Sequence, residues 1–202
     1  MIQRNHTMSY PNTAVNFQNH DVFEEHAIDT IHTLLLNDSV MPMTFLCETS
    51  DYKQILILYF MTDHAEIENK INMVRALMLL NNVKRYIFAS ETLIPSQEGL
   101  NPTEDENAKD GLVFLHANKQ GLEKSTQYFV KRKNGEIILS GKEESKSLKT
   151  NTDLTSLLTG PQVSAEQREE LEMIVSTLPK NYPVKAYEYS DKINTYQPHT
   201  FN

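Results

Sequence analysis

Apolar residues recur along this chain with two periods, and the clearest succession lies between residues 54 and 91. Residues 55–61 are apolar without alternation, the pattern of a strand covered on both faces. Ile67, Ile71, Val74 and Met78 then fall at helical spacing within residues 63–81, and Leu77 and Leu80 widen the stripe. Asn81-Asn82 suits the left-handed position that ends a helix. Residues 84–90 read as a second apolar strand, strongest over 86–89. Strand, helix and strand of these lengths predict a βαβ crossover between parallel neighbours, expected at the centre of the fold.

The flanking segments arrange themselves around that unit. A helix is predicted from residues 20–21, where Asp21 and Glu24 make a D-x-x-E capping pair. Its buried stripe is Phe23, Ala27, Ile31 and Leu34/Leu35, and Asn37-Asp38-Ser39 ends it. Residues 43–47 form a short strand that the polar turn 49–53 folds back as a hairpin onto 54–61. Asp63 and Glu66 cap the crossover helix. Further strands are predicted at 112–117, 125–133 and 136–139, the last two joined through Asn134-Gly135, a type I′ turn signal. Between them and the second strand of the unit lies a long loop, 92–110, with six acids from Glu91 to Asp110 against Lys109 alone. Loops of that length tend to be lids, binding loops or disordered segments. A polar linker (141–150) leads to a short helix over 152–158 that stops at Gly160-Pro161. Ser164-Ala165-Glu166-Gln167 is a capping box for a last helix that buries Leu171, Ile174/Val175 and Leu178.

The fold class expected from this pattern is α+β: a mixed five- to six-stranded sheet containing the central βαβ unit, with helices packed on its faces. Residues 1–19 are a polar N-terminal arm, 20–179 a single domain, and 180–202 a tail with four tyrosines and no core pattern.

Composition narrows the function classes. The 202 residues carry a net charge of −8, against general affinity for nucleic acid or anionic membrane. The charge is uneven: residues 119–149 hold eight Lys/Arg and four Glu, while the rest of the chain holds 11 basic and 23 acidic residues. The one cysteine, Cys47, excludes an intrachain disulfide and a CxxC site and fits a reducing compartment. With no apolar run of membrane-spanning length and no signal-peptide core at the N-terminus, the expected location is the cytoplasm.

Few residues offer chemistry. Cys47, in an apolar strand beside Glu48, reads as a structural thiol. The seven histidines show neither HExxH nor HxH spacing, and no glycine pattern cradles a phosphate, so no cofactor is called for. One constellation follows from the expected topology. Ligands favour the crevice beyond the carboxyl ends of parallel strands, which here would carry Asp63 and His64 after one strand and Ser90 and Glu91 after the other. Two carboxylates and an imidazole there would suit a divalent cation or acid–base work. Lys131, Arg132 and Lys133 form a candidate basic contact surface that would touch phosphates.

The order helix, strand, strand, helix, followed by the Tyr86-x-Phe88-x-Ser90-Glu91 stretch, is similar to that of small uncharacterised bacterial and phage proteins. It carries no activity over. The function expected is that of a non-enzymatic protein-binding or adaptor module, compatible with a viral gene, with a protein as its partner. The alternatives are a metal-assisted hydrolase or small-ligand enzyme at the two strand ends, and nucleic-acid contact through the basic hairpin.

Overall fold

The computed structural model describes residues 20–37, 41–60, 67–97, 100–133, 136–145, 152–160 and 163–188. The arm at 1–19, the Asp63/Glu66 cap, the Asn134-Gly135 turn and the end of the tail lie outside these residues. Along the chain come α1 (His20–Asn37), β1 (Met43–Thr49), β2 (Gln54–Tyr59), α2 (Ile67–Leu80), β3 (Val83–Ile94) and β4 (Lys109–Asn118). They are followed by β5 (Gly121–Lys133), β6 (Glu136–Ser145), the single turn α3 (Thr152–Thr155), α4 (Ala165–Ser176) and β7 (Val184–Glu188).

The strands form one seven-stranded sheet in the order β6-β5-β4-β3-β1-β2-β7, and every pair is antiparallel. This corrects the expected mixed sheet with a central parallel βαβ unit. Strands β2 and β3 do run in the same direction, but β1 lies between them and pairs with both, Phe45 opposite Ile57 on one side and Phe88 on the other. The cause is legible in β1 itself. Phe45, Leu46 and Cys47 are consecutive and all buried, so β1 needs cover on both faces and a partner on both edges. The hairpin to β2 supplies only one of those edges. Strand β3 supplies the other, by insertion rather than by pairing with β2.

The strands also run longer than their apolar centres. Strand β3 continues through Ser90 and Glu91 to Ile94, and β4 begins at Lys109, which shortens the acidic loop from both ends. Strand β6 continues to Ser145 through much of the expected linker. In the expected tail, Val184 and Ala186 are buried, and this segment closes the outer edge of β2 as β7.

Alternation distributes the side chains of the sheet to two cores. Phe45, Cys47, Ile57, Tyr86, Phe88 and Leu115 face α2, α3 and α4. Leu46, Leu56, Ile87, Phe114 and Tyr128 face α1, whose contribution is the expected stripe of Phe23, Ala27, Ile31, Leu34 and Leu35. Three anchors hold the first layer. The Tyr86 hydroxyl donates to the Leu154 carbonyl (2.6 Å). Arg75 donates to the Thr159 carbonyl (3.2 Å), and Arg168 of α4 caps α2 by donating to the Leu80 carbonyl and to Asn82 Oδ1. Asn82 takes the left-handed conformation (φ 52°) predicted for the end of α2. The capping box of α4 is present in both directions: Gln167 N–H donates to Ser164 Oγ, and Ser164 N–H donates to Gln167 Oε1.

Cys47 is fully buried at the middle of this sheet, and desolvation pushes its thiol well above the ordinary value. The native thiol should therefore be inert at mildly alkaline pH and react with Ellman's reagent only as fast as the protein unfolds. Fast labelling of the native state, unchanged by urea, would contradict this burial.

Candidate functional site

The residues singled out as chemistry-bearing do not meet in one crevice among the described residues. Asp63 and His64 lie outside them. Ser90 and Glu91 sit within β3 rather than beyond its end, and successive side chains of a strand point to opposite faces. The Ser90 hydroxyl donates to its neighbour's carbonyl (3.1 Å), whereas the Glu91 carboxylate accepts from Met41 N–H (3.2 Å) and from the Arg132 guanidinium. With β1 inserted, β2 and β3 stand two sheet spacings apart, about 10 Å, instead of side by side.

The basic triplet is divided in the same way. Lys131 faces the α2 side of the sheet and is exposed. Arg132 faces the α1 side, where Glu91 holds it and Asp110 approaches at 3.7 Å. Lys133 ends β5 opposite Glu136. The sequence thus set Glu91 and Arg132 in two separate candidate sites, and they are in fact one ion pair across β3 and β5.

Two buried charge clusters went unread in the sequence. The first lies under the start of α1. Glu24 was assigned to a helix cap, but α1 opens at His20 and Glu24 turns inward, only 3% exposed. Its carboxylate accepts from Lys124 Nζ (2.5 Å) and from the Tyr128 hydroxyl (3.2 Å), and buried His116 brings Nε2 to 3.9 Å. The signal was present: Glu24, Ala27 and Ile31 share one face at i, i+3 and i+7, which puts a carboxylate in an apolar stripe. The second cluster lies across β1 and β3. Glu48 is completely buried and accepts from Arg85 Nε (2.7 Å) and a second guanidinium nitrogen, and the Lys84 ammonium lies 2.5 Å from its other oxygen. Aromatic rings back both cations, Phe23 under Arg85 (4.9 Å) and Tyr52 under Lys84 (3.7 Å).

These clusters have the ingredients of acid–base chemistry, yet the two carboxylates are engaged in fastening elements together. Glu24 binds α1 to β5, and Glu48 binds β1 to β3. A cleft of about 610 Å³ lies elsewhere, between the β1–β2 turn and the end of α2, lined by Thr49, Asp51, Lys53, Leu80 and Asn81 among others. Among the described residues Asp51 is its one carboxylate, held below its usual value by hydrogen bonds from Thr49 and Lys53, which also close the turn. Among the described residues, no group of three or more His, Cys, Asp or Glu is placed to hold a metal ion. No described helix is long and apolar enough to cross a membrane.

The acidic loop is organised by its own side chains. Asp105 accepts from Ser96 N–H (2.6 Å) and Asn107 N–H (2.9 Å), and Asn101 accepts from Thr103 N–H (3.2 Å). These hydrogen bonds lower the Asp105 pKa below its ordinary 3.8. The ordered loop is therefore favoured above that value, and the advantage is lost as pH falls through the lower, folded-state value. In an NMR titration the Asp105 carboxyl should titrate below its ordinary value, with the Ser96 amide shift following it. Independent titrations of the two would count against the contact.

The ion pairs should differ sharply in weight. Glu48→Ala leaves the largely buried Arg85 guanidinium without its carboxylate and should lower unfolding free energy by about 3–5 kcal/mol in urea titrations. Glu91→Ala breaks a pair that is partly solvated on both sides and should cost about 0–1 kcal/mol. Equal losses would show that burial does not set the difference.

Comparison of this chain with protein-family models, with curated proteins and with solved structures finds no match.

Proposed function

We propose that this chain is a non-enzymatic protein-binding module that works in the cytoplasm, where its lone thiol stays reduced. Its recognition surface is the half of the sheet beyond the reach of α2 and α4. Strands β3 to β6 extend past β1 as a wing. Leu139 on one face of the wing packs into the α1 core, and the opposite face carries Ile94, Phe129 and Ile138 beside Lys109 and Lys131, with Val113 marking where it meets the α2 core.

The observation that carries the proposal is how flat this face lies. Phe129 is flanked across the sheet by Gly111 on β4 and Gly141 on β6. A Cβ on Gly141 would come within 2.6 Å of the Phe129 ring, and one on Gly111 within 2.3 Å of the Ile94 side chain. Without side chains at these two positions, the ring and the isoleucine lie down on the backbone and form an apolar platform. Lys109 Nζ sits 5.3 Å from the ring centre, and Ile138 at the rim is 45% exposed. Flat apolar ground bordered by cations suits an acidic, partly apolar protein surface. Among the described residues, by contrast, the buried carboxylates Glu24 and Glu48 are engaged in fastening elements together.

Ile138→Asp tests the proposal, because an exposed position tolerates the change with little effect on stability. Affinity purification from the native host should lose its captured proteins with this variant while thermal unfolding stays within a degree or two of the unaltered chain. Undiminished capture would refute the platform as the recognition surface. Removal of 189–202 is the matching test for the tail. A cut at Lys180 would also strip β7 from β2 and confuse binding with folding.

A further inference from the structure

We infer that the platform on the β3–β6 wing receives helix α4 of a second copy of this chain, an assignment that rests on the platform being a protein-binding surface. Helix α4 packs on α2 through Val175 and Leu171, on the same side of the sheet as the platform. Its outer side, from Met173 opposite that face round to Ile174 on its flank, is unusual for a solvent-facing helix, and Ile174 is exposed there although the sequence pattern put it in the buried stripe. Met173 is 62% exposed and Ile174 40%, and Glu166, Glu169 and Glu170 surround them. An acidic helix with Met173 and Ile174 exposed and a sheet face with Phe129 at its centre, Ile138 at its rim and Lys109 and Lys131 beside them are complementary in both charge and polarity. Each is present once per chain.

Their shared side of the sheet dictates the symmetry. Helix α4 is anchored by Arg168 to the end of α2 and stays over its own half of the sheet. A copy turned through 180° about an axis parallel to the strands and lying above this face would meet it face to face and bring its α4 over the open wing. The first copy's α4 then covers the other wing, and the two identical contacts close the assembly as an isologous dimer. The wing would gain a helix on this face to match α1 on the other. Two chains of net charge −8 repel one another in general, so the approach is favoured where Lys109 and Lys131 meet Glu169 and Glu170.

Sedimentation equilibrium of the full chain from low to high micromolar concentration tests the assignment. The expected mass is twice 23.3 kDa. Met173→Glu should return it to that of a single chain, and Lys131→Glu should weaken association by about tenfold or more. Combining Lys131→Glu with Glu170→Lys in one chain should restore it, a rescue that a merely misfolded variant would not show. A single-chain mass at every concentration, or a dimer indifferent to both Met173→Glu and the charge exchange, overturns the assignment. In that event Ile138→Asp separates the two ideas. If host proteins are still lost from the variant, the platform binds a different protein; if they are retained, the platform is not a protein-binding surface at all.

Discussion

Strand β1 is the constraint on which the rest of the structure depends. Consecutive large residues demand cover above and below, and buried backbone groups demand partners on both sides. One short strand therefore recruits β2 through a local hairpin, β3 from beyond a helix, and two helical layers. The crossover through α2 then has to step over β1 to bring β3 to its free edge. Once β3 is placed, β4, β5 and β6 follow by simple antiparallel addition, and β7 closes the opposite edge at β2.

Buried ion pairs reinforce the same junctions. Burying a carboxylate is costly unless its oxygens are fully engaged, and such a pair is weak evidence of net stabilisation over an apolar one. What it contributes here is uniqueness of placement. Glu48 meets Arg85 only in the observed register of β1 and β3, and a slip of one residue would turn the guanidinium to the opposite core. Glu24 does for α1 what Glu48 does for β1, fixing the helix along its axis where the apolar stripe alone would tolerate sliding.

The sequence made most elements legible and misjudged their adjacency. Local periodicity revealed α1, α2 and α4, the capping box at Ser164, and the apolar centres of the strands. It could not reveal which strand pairs with which, since hydrogen-bond partners on a sheet edge leave no mark in the spacing of side chains. The unbroken run Phe45-Leu46-Cys47 was the clue that β1 is interior. The candidate residues suffered for the same reason. Ser90 and Glu91 read as a strand end because the apolar core of β3 stops at Ala89, although backbone pairing with β4 continues to Ile94. Glu24 was explained as a helix cap and Glu91 as part of a strand-end site, while their true partners, Lys124 and Arg132, lie far away in sequence and close in space.

The pairing of β7 with β2 has a consequence for how the chain reaches this state. Strand β2 pairs with its neighbour in sequence, β1, but its outer edge stays open until β7, more than a hundred residues downstream, is made. Until β7 is made, then, the unbroken apolar strand β2 presents an unpaired edge, the kind of surface on which strands of other chains add. The native edge is shielded by a short strand with Lys185 and Tyr187 alternating between its buried residues. Folding of this protein is thus a matter of timing as well as of stability: the edge of β2 is covered only when β7 arrives.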